Sequence, residues 1–324
     1  VRKKGLLAIA ISVLSLLLIV LIYFYIKLIS PPGKSAEQQP GLKPLLSIYG
    51  YGKKPHQLLS RPYGVAVDKN RNIFITDTGN KRVLVFNRNG DFLFKFGDTG
   101  KSSGKLKVPL GIAVSPDGRI YVADRHLNKI LVFNSKGKFL KDFKVKLPLV
   151  PVVANNKLYV ATYGPVLIFD LDGTKLLKWG RRGRGKGEFD FPGGIAVDKQ
   201  GNVYVSDTNN LRIQALNKTG HVIWIVGKPA GDIMAKKRRF GLPAGIALGD
   251  EGRIYLIDAF HYSIRILKSD GAELEELGER GDREGQFNLA TGIAQMNGEV
   301  FVIADQYNDR VQVIQITPPA KLSE

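Results

Sequence analysis

The chain contains no cysteine. Disulfides, cysteine-ligated zinc and thiol catalysis are therefore excluded, although the redox compartment is not fixed. Histidine is scarce, with four residues in 324. No HExxH, no glycine-rich phosphate loop set between a strand and a helix, and no Ser–His–Asp order is present. Acidic side chains are the minority. The 29 Asp and Glu face 48 Lys and Arg, a formal charge of +19. Residues 1–43 account for +5 of it and the remainder for +14. The body of the chain is itself basic, which points to an anionic partner without naming one.

What the chain has in abundance is repetition. Residues 61–97 read as four short strands, near Tyr63–Asp68, Asn72–Asp77, Lys81–Phe86 and Asp91–Phe96. Their β-branched and aromatic content favours strand over helix, and the intervening Asn, Asp and Gly residues suit tight turns. A Gly thirteen positions before an Asp recurs as Gly64/Asp77, Gly111/Asp124, Gly194/Asp207, Gly245/Asp258 and Gly292/Asp305. A degenerate copy between Asp124 and Asp207 puts Thr162 in the Asp place. Six copies of this length predict an all-β, six-bladed β-propeller. The second strands, such as IFIT, IYVA and VYVS, are almost continuously apolar, as expected of sheets covered on both faces. The last copy ends at Ile316 after three strands, and Leu45–Gly50 matches a fourth strand. That segment is expected to complete the final blade and close the ring, which removes open edges.

The run KGEFDFPGGIAVDKQGNVYVSDTNNLR, Lys186–Arg212, resembles the NHL repeat, and Glu284–Arg310 resembles it too. The resemblance covers roughly residues 44–316 and recurs in register. It implies an NHL-type six-bladed propeller. It is less specific for activity, because such propellers serve as protein-binding platforms, as RNA binders and, in one lyase family, as an enzyme scaffold.

Ahead of the repeats, Arg2, Lys3 and Lys4 precede an apolar run from Leu6 to Ile26. Twenty-one helical residues span roughly 31 Å, about a bilayer core. Tyr23, Phe24 and Tyr25 suit an interface, and the basic triplet favours a cytoplasmic N-terminus. The expectation is a cytoplasmic stub at 1–4, a transmembrane signal-anchor helix at 5–27 and a Pro/Gly-rich tether at 28–43. The propeller at 44–317 and a tail at 318–324 then lie outside the cytoplasm of a single-pass membrane protein. A cleaved signal peptide is the alternative. It calls for a shorter apolar run and a small-x-small cleavage site, which KLISPPGKSAEQQPG does not supply.

Strand alternation puts the loops joining blades and the Asp-x-x-Asn-x-Arg loops on one face, termed the top, and the short turns on the other. The Asp loops begin at Asp77, Asp207 and Asp305; in the corresponding loop after Asp258, His261 holds the Asn place and Ser263 the Arg place. Turn-capping is the commonest task of such Asp residues, so they are read as structural. Basic inter-blade loops carry Arg181, Arg182, Arg184, Lys186 and Lys236, Lys237, Arg238, Arg239, with Lys101 and Lys105 in another. The candidate binding surface comprises Arg125, His126, Tyr163, Arg181, Arg182, Arg184, Lys236, Lys237, Arg238, Arg239, His261, Tyr262 and Tyr307. Charge-assisted bonds from its arginines would hold an anion, against the plainer reading of solvated basic loops.

His126 and His261 fall in blades 2 and 5, opposite one another, and make a poor zinc set without a third ligand. No catalytic residue, metal or other cofactor is implied. The expected function is a non-enzymatic scaffold that binds a protein or an anionic envelope polymer. A metal-dependent lyase or hydrolase centred on the channel, as in the related lyases, is one alternative. A cytoplasmic RNA-binding propeller is the other; few top-face aromatics offer base stacking, and the expected topology opposes nucleic acid.

Overall fold

Alternating β-branched and aromatic residues, cut every five or six positions by Asn, Asp or Gly, leave each repeat no option but short strands and tight turns. The computed structural model describes residues 41–97, 103–227 and 239–317. There the repeats form six four-stranded antiparallel sheets, as the repeat count predicts. Blade 1 is β2 (Pro62–Val67), β3 (Ile73–Asp77), β4 (Arg82–Phe86) and β5 (Phe92–Phe96). Blade 2 is β6 (Pro109–Val114), β7 (Ile120–Asp124), β8 (Lys129–Phe133) and β9 (Phe139–Lys144). Blade 3 is β10 (Pro148–Ala154), β11 (Lys157–Thr162), β12 (Val166–Phe169) and β13 (Lys175–Trp179). Blade 4 is β14 (Pro192–Val197), β15 (Val203–Asp207), β16 (Arg212–Leu216) and β17 (Val222–Gly227). Blade 5 is β18 (Pro243–Leu248), β19 (Ile254–Asp258), β20 (Ser263–Leu267) and β21 (Glu273–Leu277). Blade 6 joins β22 (Ala290–Asn297), β23 (Val300–Asp305) and β24 (Arg310–Ile316) to β1 (Leu42–Ile48) from the start of the described chain.

The closing strand pairs Leu42 with Ile316 and Ile48 with Val311, antiparallel. It starts inside the stretch read from the sequence as tether. The reason is packing: Leu42 is buried in the core between blades 5 and 6, and Ile48 in the core between blades 6 and 1. Each of the six cores lies between neighbouring blades. Alternation explains the apolar second strands, since Ile73 and Ile75 face blade 6 while Phe74 faces blade 2.

The apolar run at 6–26, the tether up to residue 40, the tail at 318–324, and Lys101, Lys236, Lys237 and Arg238 lie outside the described residues. Among the described residues, no helix is long and apolar enough to cross a membrane.

Candidate functional site

The Asp loops come first because they carry the top face. Asp77, Asp207 and Asp305 end the second strands of blades 1, 4 and 6 and are fully buried. Asp207 accepts the Asp190 backbone N–H at 2.7 Å, Asn210 Nδ2 at 2.9 Å and Arg212 Nε at 2.8 Å. Arg212 then turns its outer edge to the carbonyls of Gly185 and Glu188. Asp305 and Arg310 repeat the pattern, with Arg310 donating to the carbonyls of Asp282, Arg283 and Gln286. Each carboxylate–guanidinium pair therefore fastens the incoming inter-blade loop to its blade. Burial pushes all three carboxyls above the usual carboxylate range, outweighing the hydrogen bonds and arginines that lower them.

Two blades vary the theme. In blade 2, Lys129 turns to Asp142, and Asp124 is satisfied by backbone N–H groups of Lys107, Val108, His126 and Leu127. In blade 5, Ser263 donates to Glu276, and Arg265 supplies the cation with Nε 3.3 Å from Asp258. Residues 263 and 265 share a strand face, so the arginine has moved without leaving the site. His261 Nδ1 lies 2.8 Å from Asp258 Oδ2, which makes it part of this scaffold.

Of the candidate surface residues, the structure brings together those at the junction of blades 3 and 4. The Arg182 guanidinium lies 4.7 Å from the centroid of the Tyr163 ring, and its Nε is 3.2 Å from Asp190. Tyr163 meets Phe191 edge to face. Arg181 Nε is 2.6 Å from Glu188, whose carboxyl is lowered first by the Gly185 N–H and then by Arg181. Arg181 and Arg182 nonetheless remain 79% and 63% exposed. Arg184 is exposed beside them in sequence. The other candidates are dispersed. Arg125 and His126 are exposed on blade 2, Tyr262 sits under Arg280 in blade 5, and Tyr307 is 60% exposed on blade 6. Arg239 pairs within blade 5: its Nε is 3.4 Å from Glu273 and its Nη2 3.4 Å from the Gly271 carbonyl, at the start of β21.

The axial channel is narrow. Its cavity measures ≈ 60 Å³ and is lined by first strands, with Tyr63, Gly64, Gly111, Gly194, Gly245 and Gly292 among the lining residues. A Cβ on Gly64, Gly111 or Gly194 would come within 2.5–2.6 Å of a carbonyl oxygen of the next blade. Desolvation pushes the Tyr63 hydroxyl up to about 12. No carboxylate or imidazole lines the cavity. Among the described residues, no group of three or more His, Asp or Glu could hold a metal ion. The donor set therefore does not fit the metal of a channel-centred enzyme.

Sequence reasoning missed a set of hydroxyl latches around the axis. Thr76 Oγ1 donates to the Leu110 carbonyl at 2.5 Å and Thr78 Oγ1 to Pro109 at 2.6 Å. Thr208 donates to Pro243 at 2.6 Å, and Thr291 to Tyr63 at 2.8 Å. For the latches on Thr76, Thr78 and Thr208 the signal available was a Ser or Thr flanking the conspicuous Asp, as in IFITDT and VYVSDT, whereas Thr291 stands beside the first-strand Gly292.

Comparison with known proteins agrees with this architecture. Residues 56–156 match a family model described as a 6-bladed beta-propeller, and residues 189–223 match the NHL repeat. The Drosophila melanogaster protein brain tumor is 40% identical over 47 residues, which is 14% of this chain and 4% of that protein. The chain thus spans a small part of that curated relative. Among solved structures, a structural-genomics protein of Bacteroides thetaiotaomicron superposes with a TM-score of 0.64 at 16% identity, covering 85% of this chain and 76% of the other. Virginiamycin B lyase from Staphylococcus aureus gives 0.56 at 14% identity, covering 85% of this chain and all of that one (100%). A gluconolactonase from Xanthomonas campestris gives 0.58 at 16%, covering 80% and 87%. Identities this low speak to the fold alone. With six four-stranded sheets in a ring closed by β1, the chain is a six-bladed β-propeller, and its blade 4 carries an NHL repeat.

Proposed function

We propose that the protein is a non-enzymatic binding scaffold whose top face captures an anionic surface of a protein or envelope polymer. The contact centres on Arg181, Arg182, Arg184 and Tyr163. One observation carries this reading: Arg181 and Arg182 are held in place by Glu188, Asp190 and Tyr163 while staying 79% and 63% exposed. Cations already fixed in position lose little side-chain entropy on binding. Arginine forks match carboxylate and phosphate geometry. The apolar run at 6–26 supplies the anchor in this proposal, with the propeller outside the cytoplasm.

The test is affinity capture from detergent-solubilised membranes with the parent chain and with Arg181, Arg182 and Arg184 all changed to Gln. The parent should lose its partner as salt rises from about 0.05 to 0.5 M, and the triple variant should capture weakly at every salt. Identical capture by both chains across that series removes the reading. A reporter fused to the C-terminus decides the compartment separately.

A further inference from the structure

On the bottom face, where blade 6 meets blade 1, lies a cavity of ≈ 410 Å³. Its polar lining is Arg71, Arg88, Asn89 and Asn297, with no acidic residue. The apolar lining includes Leu45, Leu46 and Met296. Neither guanidinium enters an ion pair or hydrogen bond with a described residue, and both arginines are exposed where they line the cavity.

Arg71 is also out of place by the rule the other blades follow. It sits in the short turn between the first two strands with φ +63°. Blades 2, 4, 5 and 6 fill that left-handed position with Gly118, Gly201, Gly252 and Gly298, and blade 3 with Asn156. Glycine and asparagine tolerate the conformation; a long branched cation adopts it at a backbone cost. The turn gains no ion pair from the exchange. A side chain placed against local preference, unpaired, in a mixed polar and apolar cavity is what a ligand contact looks like.

We infer that this cavity binds an anionic amphiphile, with a phosphate head on Arg71 and Arg88 and an apolar tail against Leu46 and Met296. Guanidinium groups suit phosphate oxygens, and the cavity volume lies within the range of small-molecule sites. The site is on the face opposite the basic top loops and stands or falls independently of them.

Octyl phosphate titrated calorimetrically into the purified full chain in a neutral maltoside detergent tests the assignment. Inorganic phosphate and octyl glucoside supply the head-only and uncharged arms. Octyl phosphate should bind at least about tenfold tighter than either, and Arg71→Gly and Arg88→Gln should each weaken it about tenfold. Arg71→Gly should melt at or above the parent temperature, because glycine relieves the left-handed turn. Equal binding of inorganic phosphate would mean a free-phosphate site and overturn the amphiphile. Equal binding of octyl glucoside, undiminished binding by Arg71→Gly, or a melting temperature for that variant clearly below the parent would overturn the role given to Arg71.

Discussion

At the scale of the residue, the top face rests on buried carboxylates that each serve several donors. Asp207 and Arg212 are both buried, and the arginine reaches the Gly185 and Glu188 carbonyls across the inter-blade junction. Removing one member of such a pair leaves the other charged and unpaired in the interior. Arg212→Met should therefore cost about 3–5 kcal/mol in a denaturant titration. Arg212→Lys should recover little, since an ammonium cannot fork between Asp207 and two carbonyls. The double change Asp207→Asn with Arg212→Met should be milder than the single arginine change, because no lone charge remains. This part of the structure was legible in advance: Asp, Asn and Arg stand within six positions of each other and must meet at one turn. Arg265 was not legible, because Ser263 occupies the expected place and only the strand pleat returns position 265 to the same face. The hydroxyl latches were hidden for another reason. The acceptor of Thr76 is a backbone carbonyl of the next blade, and a carbonyl has no signature in sequence.

At the scale of the element, the inner strands are set by how closely their backbones approach around the axis. A Cβ on Gly111 would stand 2.6 Å from the Leu149 carbonyl and 2.7 Å from Val150 Cα, both main-chain atoms of blade 3. Neither can yield without moving a strand. Gly111→Ala should lower stability by about 1–3 kcal/mol, as overpacking does, and thermal unfolding would read it directly. Gly118→Ala gives the contrast. Its left-handed φ of +87° is strained for alanine, but the nearest atoms are a serine side chain, at 3.2 Å, so the loss there is conformational alone. The recurrence of glycine on five of the six first strands was visible beforehand, whereas the crowding behind it was not, since it depends on how far blades stand from the axis. Charge runs behaved in the same way. The basic stretches were plain, yet nothing local indicated that Arg182 would lie over Tyr163 while Arg239 would pair with Glu273.

At the scale of the whole molecule, a ring built from six like sheets has one seam, and its strength lies in β1. Leu42 and Ile48 bury themselves on opposite sides of blade 6, so one strand contributes to two inter-blade cores. The Thr317 N–H donates to the Gly41 carbonyl at 2.8 Å, which puts the end of β24 beside the start of β1. Deleting residues 41–50 should cost about 3–6 kcal/mol from those two side chains alone. It would also leave β24 as a bare edge open to other chains. The expected readouts are a lower, broader melting transition and concentration-dependent aggregation. Sequence order, however, is not what closes the ring. Chain direction in β1 already matches that of the fourth strand in every other blade, each reached from the third by a short bottom turn. Moving residues 41–50 to follow Thr317 through such a turn should therefore restore the blade as an ordinary four-stranded meander. That rearranged chain should melt as one cooperative unit near the parent temperature, while the simple deletion should not. If both fail alike, the seam depends on something preceding residue 41 and β1 alone does not hold the ring.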